Sequence, residues 1–411
     1  MGKGEWILDS IRSKVQRLSS ITDIAKEVRN VGADLSTISI FTAKGKIVPI
    51  KLYGLVPAAA NIIKQEMLAL GGDAIVHRNA INCKIETSDV LLLGTPRHYR
   101  YLKEKLAYMP YWGLKEIGEE IVNILENPTV PEPMNTPHGT LSFDKPLIMG
   151  IINTTPDSFF SGSRKQALEE IVNTARQMIE DGADILDIGG ESTRPGADPV
   201  SLEEELDRVI PAIKAIRQEV SKDIIISIDT YKAKVAEEAL KAGADIINDI
   251  SGLRFDENMV NVATQWNVPV IIMHIKGTPR NMQKNPHYDN FIKELHEYFI
   301  ERLDYAVSHG IDEKNIILDP GIGFGKRLQD NVDIFNQIEG MLMYGRPILI
   351  GASRKSMIGM ILDGIPPEER LEGTLALTAL AVDRGTHIIR VHDVKENRKV
   401  ADITYYLKIH R

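Results

Sequence analysis

The sequence predicts an α/β protein: a (β/α)8 TIM barrel preceded by a smaller α/β domain. Three observations predict it. Short β-branched runs recur eight times in the carboxy-terminal part, helical stretches lie between them, and a proline-rich bridge sets that part off from what precedes it. The bridge, NPTVPEPMNTPHG (127–139), holds four prolines and no apolar periodicity. Such a stretch reads as an extended linker. The boundary is set near residue 136, giving a small α/β domain over 1–135 and a catalytic barrel over 136–411.

In the amino-terminal part, residues 10–30 carry a mixed charged and apolar helical pattern. STISIFTAKGKIVPIKLYG reads as a β-hairpin turning at Lys44-Gly45, and PAAANIIKQEMLALGG as a helix stopped by its glycine pair. DAIVH and SDVLLLGT read as strands. GLKEIGEEIVNILEN has Leu114, Ile117, Ile121 and Leu125 at helical spacing. His77, Arg78 and His98 are the polar residues of note; scattered on loops, they read as solvated surface rather than a site.

The barrel strands are LIMGII (147–152), DILDIG (184–189), IIISID (224–229), DIINDI (245–250), VPVIIMH (268–274), NIILD (315–319), PILIGAS (347–353) and HIIRVH (387–392). Near-continuous apolar strands alternating with helices imply parallel strands buried on both faces. In one intervening helix Leu168, Ile171, Ala175 and Met178 share a face and Gly182 supplies the stop. A doubly wound open sheet is the competing architecture; the count of eight favours the barrel.

Composition narrows the function. The 411 residues carry 49 Lys and Arg against 57 Asp and Glu, a net charge of −8 that argues against a nucleic-acid-coating protein. The single cysteine, Cys83, excludes an intramolecular disulfide framework and any cysteine-rich metal site. No apolar run approaches the roughly 20 residues of a membrane helix, and the amino terminus has no apolar signal core, so the expected setting is cytoplasmic.

In a barrel of this kind the chemistry sits at the carboxy ends of the strands. In chain order those ends carry Asn153; Glu191, Ser192, Thr193 and Arg194; Asp229; Asn248 and Asp249; His274 and Lys276; Asp319; Ser353, Arg354 and Lys355; then Arg390, His392 and Asp393. Polar residues at all eight ends point to a ligand. Asp229 and Asp319 accept hydrogen bonds only, while Asn248 does both, which suits a flat heterocycle with an amidine-like edge. Lys355 adds a donor for a ring carbonyl or nitrogen. Arg390, His392 and Asn153 could face an anion, and an Asn oxygen can complete the shell of a magnesium ion. The Gly-, Pro- and Ser-rich loops NTTPDSF and GGESTRPGA could close over substrate. GIGFGKR is no P-loop: it lacks the first glycine, and Arg327 stands where Ser or Thr is needed.

The motifs IMGIINTTPDSF, DIGGESTRPGA, SIDTYK, IINDISG, MHIKGTP, LDPGIGFGK, GASRKS and RVHDV occur in this order. With them, residues 138–411 resemble the dihydropteroate synthase family. The resemblance implies joining of para-aminobenzoate to 6-hydroxymethyl-7,8-dihydropterin diphosphate with release of pyrophosphate, a homodimer, and Mg2+. It further implies roles: Asn153 for magnesium and diphosphate; Arg390 and His392 as diphosphate anchors; Asp229, Asn248, Asp319 and Lys355 in the pterin pocket beside Met273. Thr193, Arg194, Pro195 and Ser353 would form the para-aminobenzoate side, with Asp157 and Phe159 on the first closing loop. The runner-up is a pterin-binding methyltransferase presenting methyl-folate to a corrinoid; a pterin-binding regulator without catalysis is a third class.

Overall fold

The computed structural model describes residues 18, 21–127, 129–154, 164–194 and 196–410. The chain divides into two compact units, Met1–Glu126 and Asn127–Arg411.

The amino-terminal unit is a three-stranded antiparallel sheet, β1 (Val48–Leu55), β2 (Asp73–Val76) and β3 (Ser88–Gly94), with β3 in the middle. Helices Pro57–Leu70, Pro96–Leu106 and Leu114–Glu126 contribute Ile63, Met67, Tyr99, Leu102, Leu106, Leu114 and Ile121 to one fully buried core. Two readings are corrected here. Residues 36–42 are helical, not the first arm of a hairpin. Asp34 caps this turn by accepting from Ser36 N at 2.9 Å, and Thr42 Oγ1 returns to Ile38 O at 2.9 Å. Local caps of this kind override β-propensity in a half-exposed segment. His98 is not on a loop but in the first turn of Pro96–Leu106, where its Nδ1 accepts from Thr95 N at 3.3 Å. His77 closes a turn, accepting from Asn79 N at 3.1 Å.

The second unit opens with a small hairpin, β4 (Met134–Thr136) and β5 (Gly139–Leu141). Eight parallel strands follow: β6 (Leu147–Asn153), β7 (Ile185–Gly189), β8 (Ile225–Asp229), β9 (Ile246–Asp249), β10 (Val270–Met273), β11 (Ile316–Asp319), β12 (Leu349–Ile350) and β13 (Ile388–Val391). The ladder runs β11-β10-β9-β8-β7-β6-β13-β12, and a parallel bridge between Leu318 and Ile348 closes it. Closure decides for the barrel over the open sheet.

The period of two along each strand sorts the side chains. Ile148, Leu186, Ile226, Ile247, Ile272 and Leu318 pack outward with the helices in one cluster. Residues of the other parity form a second: Met149, Ile185, Ile225, Ile246, Ile271, Ile317, Leu349 and Ile388 meet Met134, Leu141 and Phe143 from the hairpin and its exit. The hairpin thus plugs the amino-terminal end of an apolar lumen. One step further along the same parity the lumen becomes polar, with Asp187, Ser227, Asn248 and Arg390, then Asp229 and Asp319 at the mouth. Among the described residues no helix is long and apolar enough to cross a bilayer.

Candidate active site

At the carboxy end of the barrel a cleft of about 330 Å³ is lined by Thr193, Asp229, Asn248, Ile250, Met273, Asp319, Ile322, Phe324, Gly351, Lys355 and Arg390. Seven of the expected residues therefore line one cleft, although they lie on seven different strands or their following loops.

Asp229 ends β8. Its Oδ2 accepts from Arg390 Nη2 at 2.7 Å, while Oδ1 is buried with no partner. Burial pushes the carboxyl up to about 7; Arg390 opposes that and Asp187 adds to it. Asp319 ends β11, and its Oδ1 accepts from Gly321 N at 2.7 Å. Gly321 has φ +67°, and a Cβ there would stand 2.1 Å from His274 O, so only glycine allows this turn. Burial raises the Asp319 carboxyl as well. Lys355 follows β12, with Nζ 4.2 Å from the centre of the Phe324 ring. Burial, with Arg390 nearby, brings its ammonium down to about 8.

Arg390 does not stand free for an anion. Its Nε donates to Asp187 Oδ2 at 2.6 Å while Nη2 holds Asp229. Burial disfavours its charge, but Asp187 and Asp229 outweigh burial and raise its pKa. Asn248 Nδ2 also donates to Asp187, at 3.2 Å. Asp187 thus orients two cleft residues, and the sequence reading did not single it out. The available signal was a carboxylate at mid-strand, on the same parity as the lumen-facing Ile185.

His392 lies just beyond β13. Its backbone N donates to Ser353 Oγ at 3.2 Å, and its Nδ1 is 2.9 Å from the same hydroxyl. Burial and then Arg390 push its pKa down to about 4, so the imidazole is neutral at pH 7. Between Ser353 and Lys355, Arg354 adopts a left-handed φ of +55°. Its N–H donates to Thr374 Oγ1 at 3.0 Å, and its guanidinium grips Asp393 at 2.9 and 2.6 Å. This turn lets Ser353 and Lys355 both serve the mouth.

Other expected residues are more scattered. Asn153 is half-buried at the end of β6, paired in register with Gly189. Thr193 is half-buried in the cleft and Arg194 is exposed. Asp157, Phe159 and Pro195 lie outside the described residues. The lysine of GIGFGK points to protein, not phosphate: Lys326 Nζ contacts His274 Nδ1 at 2.8 Å and the carbonyls of His274 and Phe324 at 3.1 Å each. Among the described residues no three His, Cys, Asp or Glu cluster as a metal site would require.

A family model described as "Pterin binding enzyme" matches residues 149–392. The dihydropteroate synthase of Bacillus subtilis is 48% identical over 269 residues, 65% of this chain and 91% of that one. The chain belongs to the dihydropteroate synthase family of pterin-binding enzymes. A structure of the Xanthomonas albilineans family member with 4-aminobenzoic acid superposes with a TM-score of 0.63 at 38% identity, covering 68% of this chain and 98% of that one. A probable bifunctional folylpolyglutamate synthase/dihydropteroate synthase of Halobacterium salinarum is 40% identical over 339 residues, 82% of this chain and 40% of that one. That stretch is longer than the barrel unit, so it takes in part of the amino-terminal unit.

Proposed function

We propose that this transferase condenses 6-hydroxymethyl-7,8-dihydropterin diphosphate with para-aminobenzoate, giving 7,8-dihydropteroate and pyrophosphate. The observation that carries the reading is the unpartnered Oδ1 of Asp229 in a cleft that also holds Asn248, Asp319 and Lys355. A buried carboxylate oxygen without a donor is costly unless a ligand supplies one. The adjacent N–H groups of a pterin edge would supply it. Asp319 and Asn248 add further acceptors, Lys355 a donor, and Met273 an apolar contact.

The amine nucleophile has an available lone pair, so no strong base is needed. A neutral His392 with a pKa of about 4 is a poor base. A neutral imidazole still carries one ring N–H, which suits a hydrogen bond to a diphosphate oxygen instead. The C–O bond at the pterin methylene breaks, its electron pair leaving with pyrophosphate. The amine nitrogen then bonds to that carbon and loses its proton to solvent or to the departing group. Positive charge developing on the dihydropterin would be stabilised by the carboxylates of Asp229 and Asp319, which favours a dissociative, SN1-like path. Thr193, Arg194 and Ser353 fit the para-aminobenzoate side. Arg390 acts through the pocket: charged and held between Asp187 and Asp229, it faces the pterin as much as any anion.

The residue set fits a magnesium ion carried on the substrate. With no acidic trio among the described residues, diphosphate oxygens and Asn153 would hold it, as Mg2+ commonly sits on substrate phosphates. Its chemistry there would be neutralisation of leaving-group charge.

Self-association as a homodimer is supported by exposed apolar side chains after β12 and on the last helix, among them Met360, Ile361, Ile403, Tyr406, Leu407 and Ile409. A cytoplasmic setting suits a chain with one free, exposed thiol, Cys83. The amino-terminal domain is a compact unit of its own and is given no part in this chemistry.

The test is product detection by mass spectrometry from the purified protein, the pterin diphosphate, para-aminobenzoate and Mg2+. Dihydropteroate that disappears on chelation is the expected result. Pterin binding without product would sink the reading in favour of a non-catalytic binder or methyl transfer.

A further inference from the structure

The loop between β7 and the helix Leu202–Glu219 carries Thr193 and Arg194, and one ammonium pins it at both ends. Glu191, at the start of the loop, is buried, and both its oxygens are taken. Tyr231 Oη donates to Oε1 at 2.7 Å, and Lys232 Nζ pairs with Oε2. The same Nζ donates to Val200 O at 2.9 Å, where the loop returns to the barrel. Its third partner is Glu205, a fully buried carboxylate on the helix that follows. The three donors of an ammonium are thereby spent on the entry, the exit and the anchor of a single loop.

Lys232 comes from the next strand's loop. It lies three residues after Asp229, and its backbone N bonds Thr230 Oγ1 at 3.2 Å while Thr230 N donates to Asn248 O at 3.1 Å. The segment 229–232 therefore begins in the cleft that holds Asp229 and Asn248 and ends at the clamp on the neighbouring loop. Such a cluster is expensive to bury for stability alone: two carboxylates and one ammonium leave the burial of one negative charge uncompensated, and Glu205 Oε1 has no partner among the described residues.

We propose that Lys232, clamping Glu191, Val200 and Glu205, is a positioning residue that sets where Thr193 and Arg194 stand toward the amine substrate. The inference rests on the proposed function, since it assigns that loop to the amine side. Its effect should fall on the aromatic amine and spare the pterin, because the clamp touches the loop feet and not the cleft floor.

The experiment is steady-state kinetics for wild type, Lys232→Met, Lys232→Arg and the double variant Lys232→Met/Glu205→Gln, with the affinity for free pterin by calorimetry and the melting midpoint of each. Lys232→Met should raise KM for para-aminobenzoate at least roughly tenfold while the pterin Kd stays within about twofold. Lys232→Arg should recover most of that loss. The double variant, relieved of one buried charge, should regain melting temperature without regaining KM. An unchanged amine KM in Lys232→Met, a parallel rise in KM and pterin Kd, or recovery of KM along with stability in the double variant would each overturn the positioning role. A wild-type protein that forms no product would instead defeat the functional reading on which the inference stands.

Discussion

The two ends of the barrel bury charge in opposite ways. At the amino-terminal end, Asp245 is saturated. Its Oδ1 accepts from His138 N at 3.1 Å with the His138 ring at 2.7 Å, and its Oδ2 accepts from Ile226 N at 2.8 Å and from Arg217. His387 is equally satisfied: Nδ1 accepts from Ile348 N at 3.0 Å and Nε2 reaches Thr129 O at 3.0 Å, tying the linker to the barrel. At the carboxy-terminal end, Asp229 keeps a buried oxygen unpartnered, and Lys355 and Asp319 sit in the cleft with shifted protonation equilibria. A buried carboxylate with all its capacity spent holds structure; one left with an unpartnered oxygen inside a cleft is poised for a ligand.

That contrast can be broken most forcefully at the floor. Asp245→Asn removes the charge that pairs with half-buried Arg217, which keeps the carbonyls of Gly243 and Ile224, and breaking a buried pair of this kind costs up to about 3–5 kcal/mol. Denaturant unfolding should show that loss while pterin affinity of the folded protein is unchanged; a pterin defect without instability would refute the division. At the mouth the pattern should invert. Asp229→Asn is expected to weaken pterin binding roughly 10- to 100-fold, the worth of charge-assisted hydrogen bonds, with little change in melting midpoint because Arg390 keeps Asp187. Unaltered pterin affinity would remove Asp229 from the pocket.

A third test concerns pH. Burial holds His387 down to about 4 from an ordinary 6.5. Between those values the unfolded chain takes up a proton that the folded chain refuses, so His387 contributes stability above 6.5 that is lost as pH falls toward 4. Asp229 works the other way. The unfolded carboxyl ionises near 3.8 and the folded one near 7, so its contribution declines as pH rises through that window. His387→Asn should therefore flatten the acid-side loss, and Asp229→Asn should steepen the net gain in stability between pH 4 and 7. Melting curves across that range, with slopes unmoved by either substitution, would count against both assignments.

Much of the barrel was legible because buried parallel strands must be apolar on both faces, and because the eight runs end in polar residues. The match is close at β6, where 147–152 was expected and Leu147–Asn153 found, and loose at β12, where 347–353 shrinks to Leu349–Ile350. The amino-terminal module was less legible. At 36–42 β-branched residues suggested a strand, but the cap at Asp34 chose a helix, and Pro96–Leu106 was missed because its apolar face is carried by Tyr99, Leu102 and Leu106 among many charges.

The same boundary runs through the site. Alternation along each strand was enough to send Asp229, Asn248 and Asp319 toward one end of one lumen, since strand direction and side-chain parity are local properties, whereas Lys355 reaches the same mouth only through the left-handed turn at Arg354. Which of them meet is not local. Arg390 on β13 pairs with Asp187 on β7 and Asp229 on β8, two and three strands away in the ladder. In a flat sheet those strands would stand about 10 to 14 Å apart at ordinary spacing, too far for one guanidinium to hold both carboxylates. Only curvature and closure, completed between Leu318 and Ile348, fold that distance across the lumen. The residues and their facing were written along the chain; their partnerships came with the barrel.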